Sequence, residues 1–246
     1  MTCRDRGGGA LFRIRNLVKR WDAVGAPFEL RVPELVLERG ARVAVAGSSG
    51  CGKSTLLDIL AMSLEPDRAD VFEFTPARGD TTDVLRHWSA NDLDALARLR
   101  GQHVGYVLQT GGLLPFLTVR ENIDLPRRLL GLPADDTVES LARGLGIERQ
   151  LDKWPIHLSV GERQRGAICR ALAHAPEVLL ADEPTSNVDP VHARAILRLF
   201  LEHAERLGAT VVMVTHAWEL AEEFGLVRLH HTLVREGDLA LSEFHT

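Results

Sequence analysis

Residues 47–55, Gly47-Ser48-Ser49-Gly50-Cys51-Gly52-Lys53-Ser54-Thr55, fit the spacing G-x-x-x-x-G-K-[ST] and constrain the fold more than any other stretch of the chain. Such a loop needs a buried strand before it and a helix after it. Arg42-Val43-Ala44-Val45-Ala46 has the short apolar run of the strand, and Leu56-Leu57-Asp58-Ile59-Leu60 predicts the helix. The glycines let the backbone turn tightly, so that successive N–H groups point inward at phosphate oxygens. The helix start adds the positive end of its dipole. Lys53 is then expected to reach the terminal phosphates and the Ser54 hydroxyl to ligate Mg²⁺. Binding of a nucleoside triphosphate is the chemistry this predicts. Cys51 within the loop is either an oxidisable thiol or a small residue that the loop tolerates.

The 246 residues suffice for one large α/β domain. A formal net charge of −5 and the lack of a long Lys/Arg run argue against nucleic acid as the main partner. No apolar stretch approaches the roughly 18 residues of a membrane span. Met1 to Ala10 lacks the apolar centre of a signal peptide and is expected to be a short flexible lead. Cys3, Cys51 and Cys169 have no metal-ligand spacing and suggest a reducing, cytoplasmic setting.

Residues from about Leu11 to Glu38 alternate apolar and polar positions and predict an antiparallel β layer. A short helix is expected near Asp92 to Arg100, then a strand over Val104 to Leu108. From Val119 to about Leu145 the pattern is helical, broken by Pro126 and Pro133, and a further helix starts at Ser159 and runs to about His174. Glu177 to Ala181 and Thr210 to Val214 are continuous apolar runs, as parallel strands covered on both faces require. The first of these runs on into Asp182-Glu183. Ligands of open α/β sheets sit at the carboxyl ends of strands, where these two acids would emerge. Asp182 is expected to hold Mg²⁺ and Glu183 to polarise an attacking water.

Leu158-Ser159-Val160-Gly161-Glu162-Arg163-Gln164-Arg165 resembles the signature motif, LSGGQ or LSGGE, of the ATP-binding-cassette (ABC) ATPases. The likeness extends from about Leu11 to Leu239. Gln109 matches the family's Q-loop, Ser186-Asn187-Val188-Asp189 its D-loop and His216 its switch histidine. Trp21 stands where the family usually has a tyrosine that stacks on adenine. The resemblance implies a P-loop ABC ATPase fold: a RecA-like core with an antiparallel β layer and an inserted helical subdomain. It implies one domain over about 10–241, with core segments of about 10–109 and 174–241 around an insertion of about 110–173. ATP would be held by Trp21, Gly47 to Thr55, and Ser159, Gly161 and Asp189, the signature residues facing a γ-phosphate bound by the opposite subunit of a head-to-tail homodimer. Mg²⁺ would fall to Ser54, Gln109 and Asp182, and catalysis to Glu183, His216 and Gln109. Ser159 also reads, from its residue type alone, as a helix N-cap followed by N–H groups that form an anion site.

Two positions depart from the pattern. Val160 replaces the first glycine of the signature pair, and Ala217 replaces the acidic residue common after the switch histidine. A branched side chain in the first helical turn is expected to crowd the facing ATP or stiffen the cap. Neither change removes Lys53, Asp182, Glu183 or His216, so hydrolysis is still expected.

Leu113 to Ile123, with Leu125-Pro126, is similar to the segment after the Q-loop in one subgroup. That subgroup comprises the lipoprotein-releasing, macrolide-exporter and cell-division ATPases. The similarity implies integral membrane permease subunits with periplasmic domains as partners, a docking groove beside Gln109 and the helical insertion, and a place on the cytoplasmic face of a bacterial inner membrane. A regulatory or signalling module without cargo is the alternative. A cytoplasmic DNA-repair or translation ATPase is disfavoured by the acidic balance and the single cassette.

Overall fold

The computed structural model describes residues 9–21, 27–47, 50–186, 188, 190–236 and 239–245. Its strands are β1 (Ala10–Trp21), β2 (Phe28–Glu38), β3 (Arg42–Ala46), β4 (Val71–Phe74), β5 (Thr82–Asp83), β6 (Val104–Val107), β7 (Val178–Asp182), β8 (Thr210–Thr215), β9 (Val227–Glu236) and β10 (Leu239–His245). Its helices are α1 (Lys53–Leu60), α2 (Val84–Ser89), α3 (Leu93–His103), α4 (Val119–Leu129), α5 (Thr137–Gly144), α6 (Val160–Leu172), α7 (Pro190–Leu207) and α8 (Trp218–Glu223). The strands form one ten-stranded sheet in the order β5-β4-β1-β2-β10-β9-β3-β8-β7-β6.

The sheet is parallel at one end and mainly antiparallel at the other. β3, β8, β7 and β6 pair in parallel, and β9 joins them parallel to β3. β1 pairs antiparallel with both β2 and β4, as the alternating sequence predicts. The β9–β10 hairpin ties the halves together, β10 lying parallel to β2.

Side chains of the parallel strands alternate between two hydrophobic cores, as a two-residue period dictates. Val43, Val45, Leu180, Val212 and Val214 join α1 and the antiparallel layer in one core. Ala44, Leu179, Ala181, Val211 and Met213 join Ile168 of α6 and Phe200 of α7 in the other. In the antiparallel layer Phe12 packs on Phe74 and Phe72, with ring centroids 5.0 and 6.3 Å apart. All three rings are fully buried, each worth about 1.5–3 kcal/mol of transfer free energy.

The segment from Gln109 to α6 is fixed by capping chemistry. Thr118 and Glu121 form a capping box at the start of α4, and Ser159 and Glu162 form another at α6. Between them Asn122, fully buried, accepts from the Leu114 N–H and donates to the carbonyls of Leu114, Leu117 and Thr118. One amide thus holds the whole turn that precedes α4. The expected break at Pro126 is not found: α4 runs through Pro126 to Leu129, and the interruption falls after it, where Gly131 takes φ 65°. Pro126 lacks the N–H that would bond to the carbonyl four residues earlier, a single lost rung in a helix anchored by its cap and by Asn122.

Candidate active site

β3 delivers the chain to Gly47, and the loop returns through two residues of positive φ, Gly50 at 79° and Gly52 at 85°, before α1 begins. A Cβ on Gly52 would also overlap the Phe28 ring, so both sterics and backbone require glycine there. Gly52 offers no capping side chain to α1 and no acid lies in its first turn, so no carboxylate of that turn opposes an anion at the positive end of the helix. Lys53 is only 6% exposed, and its ammonium donates to the Gly47 carbonyl at 2.8 Å. Ser54 is exposed and Thr55 half-buried. Ser48 and Ser49 lie outside the described residues. Cys51 is fully buried, which favours the small-residue reading over the oxidisable thiol, and Lys53 Nζ lies 3.8 Å from its sulfur.

Asp182 ends β7 opposite Val214 of β8. The next residue, Glu183, adopts φ 46° and donates its N–H to the Val214 carbonyl at 3.0 Å. A non-glycine residue in this region costs on the order of 1 kcal/mol or more, and such strain gathers at functional sites. Its carboxylate Oε1 lies 2.6 Å from His216 Nε2, the Glu183 side chain being 12% exposed and that of His216 47%. A cavity of about 560 Å³ opens beside this pair, bounded by Thr185, Arg194, Glu219 and Leu220. Ser186 donates both its N–H and its hydroxyl to the Glu183 carbonyl, each at 3.2 Å. Asn187 and Asp189 lie outside the described residues.

Gln109 is exposed on the loop that leaves β6. In that strand the Tyr106 hydroxyl donates to Asp58 Oδ1 at 3.0 Å, linking β6 to α1. Burial raises the Asp58 carboxyl, and the charge of Asp182 adds to it. Burial and the Asp58 carboxylate push the Tyr106 phenol up as well. Neither Asp58 nor Tyr106 is marked by any motif; their link joins residues 48 apart and has no local sequence signal.

Trp21 closes β1, half-buried, with its ring 5.9 Å from that of Phe28. Phe28 in turn lies against Gly52, so Trp21 stands one ring away from the phosphate loop. The Lys19 ammonium sits 5.7 Å from the Trp21 centroid and is held by Asp67 at 2.8 Å.

Ser159 and Gly161 belong to a different part of the molecule. They start α6, which packs on α4, α5, α7 and β6, whereas α1 packs on β7 and β8. The Ser159 hydroxyl accepts from the Glu162 N–H at 3.3 Å, and the Glu162 carboxylate accepts from the Ser159 N–H at 2.8 Å. Val160 is 43% exposed beside them.

A strand–loop–helix that brings a helix N-terminus and a buried lysine to a glycine-rich loop, beside a strand that leads into two acids, is the architecture of a P-loop nucleotide hydrolase. Residues 30–186 match the family model described as ABC transporter. The chain is 37% identical over 228 residues to the lipoprotein-releasing system ATP-binding protein LolD of Idiomarina loihiensis, covering 89% of this chain and 94% of that one. It is 39% identical over 191 residues to the uncharacterized ABC transporter ATP-binding protein YbbA of Escherichia coli strain K12, covering 76% and 79%. Among solved structures it resembles the dimeric bacterial ABC transporter cassette MJ0796, with a TM-score of 0.75, 30% identity and coverage of 96% and 97%. The post-hydrolysis dimer of that cassette bound to ADP and Pi gives a TM-score of 0.73 at 30% identity, over 85% and 90%. The chain belongs to the ABC transporter family and is an ATPase of that kind.

Proposed function

We propose that this chain is the ATP-hydrolysing subunit of a membrane complex of the lipoprotein-releasing or exporter kind, working as a homodimer. It is one cassette of about residues 10–241 with a helical insertion of about 110–173. The 2.6 Å contact between Glu183 and His216 is the observation that carries the catalytic part of this reading. With Glu183 ionised, His216 donates to one carboxylate oxygen and leaves the other to accept the proton of an attacking water. Lys53 and the N–H groups of α1 bind the triphosphate, while Trp21 stacks on the base. Ser159 and Gly161 of a second copy, with Asp189, close over the γ-phosphate. Among the described residues no three His, Cys, Asp or Glu side chains are grouped to hold a metal by themselves. A Mg²⁺ ion that arrives with the triphosphate fits this donor set, with Ser54, Asp182 and Gln109 as its protein partners. Neutralising charge on the β- and γ-phosphates is what that ion supplies when bound.

The membrane role is supported by the likeness to LolD over most of both chains. No helix among the described residues is long and apolar enough to cross a membrane, so attachment calls for separate permease subunits. Their docking surface in this reading is formed by Gln109 and the helical insertion, a segment in which Leu108, Phe116, Trp154 and Ile156 expose apolar side chains. The test is affinity purification of the tagged chain from detergent-solubilised membranes, followed by ATPase assay. Recovery of an integral membrane partner that raises turnover supports the reading. Recovery of the chain alone, at full activity, would discard it. A stimulated complex that releases no lipoprotein from vesicles would favour the signalling module instead.

A further inference from the structure

The β9–β10 hairpin reaches the phosphate loop from the sheet side and touches it at two places. Ser242 of β10 is fully buried, and its hydroxyl donates to the Cys51 carbonyl at 2.8 Å. His231 of β9 faces Phe244 across the hairpin, with ring centroids 5.7 Å apart and planes at 26°. The same imidazole occupies the space over Gly47 where a side chain would stand, since a Cβ there would overlap it. Gly47 is also the residue whose carbonyl receives Lys53. Burial, together with the charges of Lys53 and Arg228, pushes the His231 imidazole down.

These contacts have a directional consequence. The peptide bonds of the described residues are trans, so the Cys51 carbonyl and the Gly52 N–H share one plane and point in opposite directions. Holding that carbonyl toward β10 turns the N–H of Gly52, the residue that caps α1, away from the hairpin. A buried hydroxyl has no water to fall back on, so the bond resists reorientation. We propose that Ser242 and His231 are positioning residues for nucleotide binding: Ser242 sets the 51–52 peptide plane toward the phosphates, and His231, braced by Phe244, fixes the entry of the loop at Gly47. The proposal rests on reading residues 47–55 as the triphosphate loop.

The experiment measures ATP affinity, KM, kcat and nucleotide-free Tm for the full-length chain and for Ser242→Ala, Ser242→Thr, His231→Ala and Lys53→Ala. Loss of one neutral hydrogen bond is worth about 1 kcal/mol, so Ser242→Ala is expected to raise KM and the ATP Kd about five- to tenfold. Turnover at saturating ATP should change less than about twofold, because ground-state and transition-state binding are lost together. Ser242→Thr keeps the donor and should recover most of the affinity. His231→Ala should raise KM in the same direction. If Ser242→Ala and His231→Ala lower Tm while KM stays at the wild-type value, both are ordinary packing residues and the proposal is overturned. If Lys53→Ala also leaves ATP affinity intact, the loop assignment itself falls, and this proposal with it.

Discussion

Glu183 Oε1 and His216 Nε2 lie 2.6 Å apart, joining the residue that follows β7 to the residue that follows β8. The left-handed backbone at Glu183, tied to the Val214 carbonyl, aims the carboxylate at this contact. Glu183→Gln keeps the shape but removes the basic oxygen. Hydrolysis is expected to slow about 10²–10⁴-fold, the usual worth of a positioned general base, with ATP binding retained. Single-turnover assays with equilibrium binding separate the two, and near wild-type turnover would take Glu183 out of the catalytic role.

Trp21 packs on Phe28 with the ring planes tilted by 45°, and Lys19 lies near its ring. Trp21→Ala should raise the ATP Kd modestly, Trp21→Tyr should largely preserve it, and fluorescence near Trp21 should change on nucleotide addition. Unchanged affinity in both variants would make the ring a part of the β-layer packing and nothing more.

Val160 is the exposed residue at the first turn of α6, between Ser159 and Gly161. If a second copy's nucleotide docks there, the branched side chain holds the two chains slightly apart. Soluble chain should then hydrolyse ATP slowly and accelerate on assembly with its membrane subunits, and Val160→Gly should partly relieve that dependence. Steady-state hydrolysis of both proteins, free and assembled, checks it. A soluble rate unchanged or lowered by Val160→Gly would show that the valine is simply tolerated.

His174 donates from Nε2 to the Val104 carbonyl at 3.2 Å, while its Nδ1 is buried without a partner. Burial holds the imidazole below the usual histidine value, against the opposing pull of that hydrogen bond. The unfolded chain therefore binds more protons than the folded one as pH falls below about 6.5, and stability present above that point is lost on acidification. Tm should drop less steeply between about pH 7 and pH 5.5 in His174→Gln than in the wild type. Parallel slopes would clear His174 of any part in acid sensitivity.

The loop at 47–55, the acid pair at 182–183 and the parallel strands were legible because each rests on local chemistry. A glycine-rich turn, a strand-end carboxylate and an unbroken apolar run declare themselves within ten residues. The caps at Thr118 and Ser159 are equally local, each a hydroxyl three residues before a glutamate. Pro126 misled because proline marks a lost donor, whereas the fate of the helix is decided by what anchors it elsewhere, here Asn122 and the cap. The hairpin escaped notice for a different reason. In Leu229-His230-His231-Thr232-Leu233-Val234 no clear alternation separates a buried face from an exposed one, and the meaning of His231 depends on Gly47, far away in sequence. Tyr106 and Asp58 were hidden in the same way.

The order of strands carries a lesson about synthesis. β9 and β10 come last in the sequence of described strands yet occupy the fifth and sixth places of ten in the sheet. On a ribosome the two flanking portions emerge first and share no strand ladder until residues 227–245 arrive between them, only isolated bonds such as those of the Thr210 hydroxyl with Glu38 and Gly40. Such long-range closure is slow and exposes unpaired strand edges while it waits. A chain stalled or cut before residue 227 is expected to hold two separate half-sheets with β2 and β3 as open edges, and to aggregate. Completion of the last hairpin is thus the step that turns two nascent pieces into one enzyme.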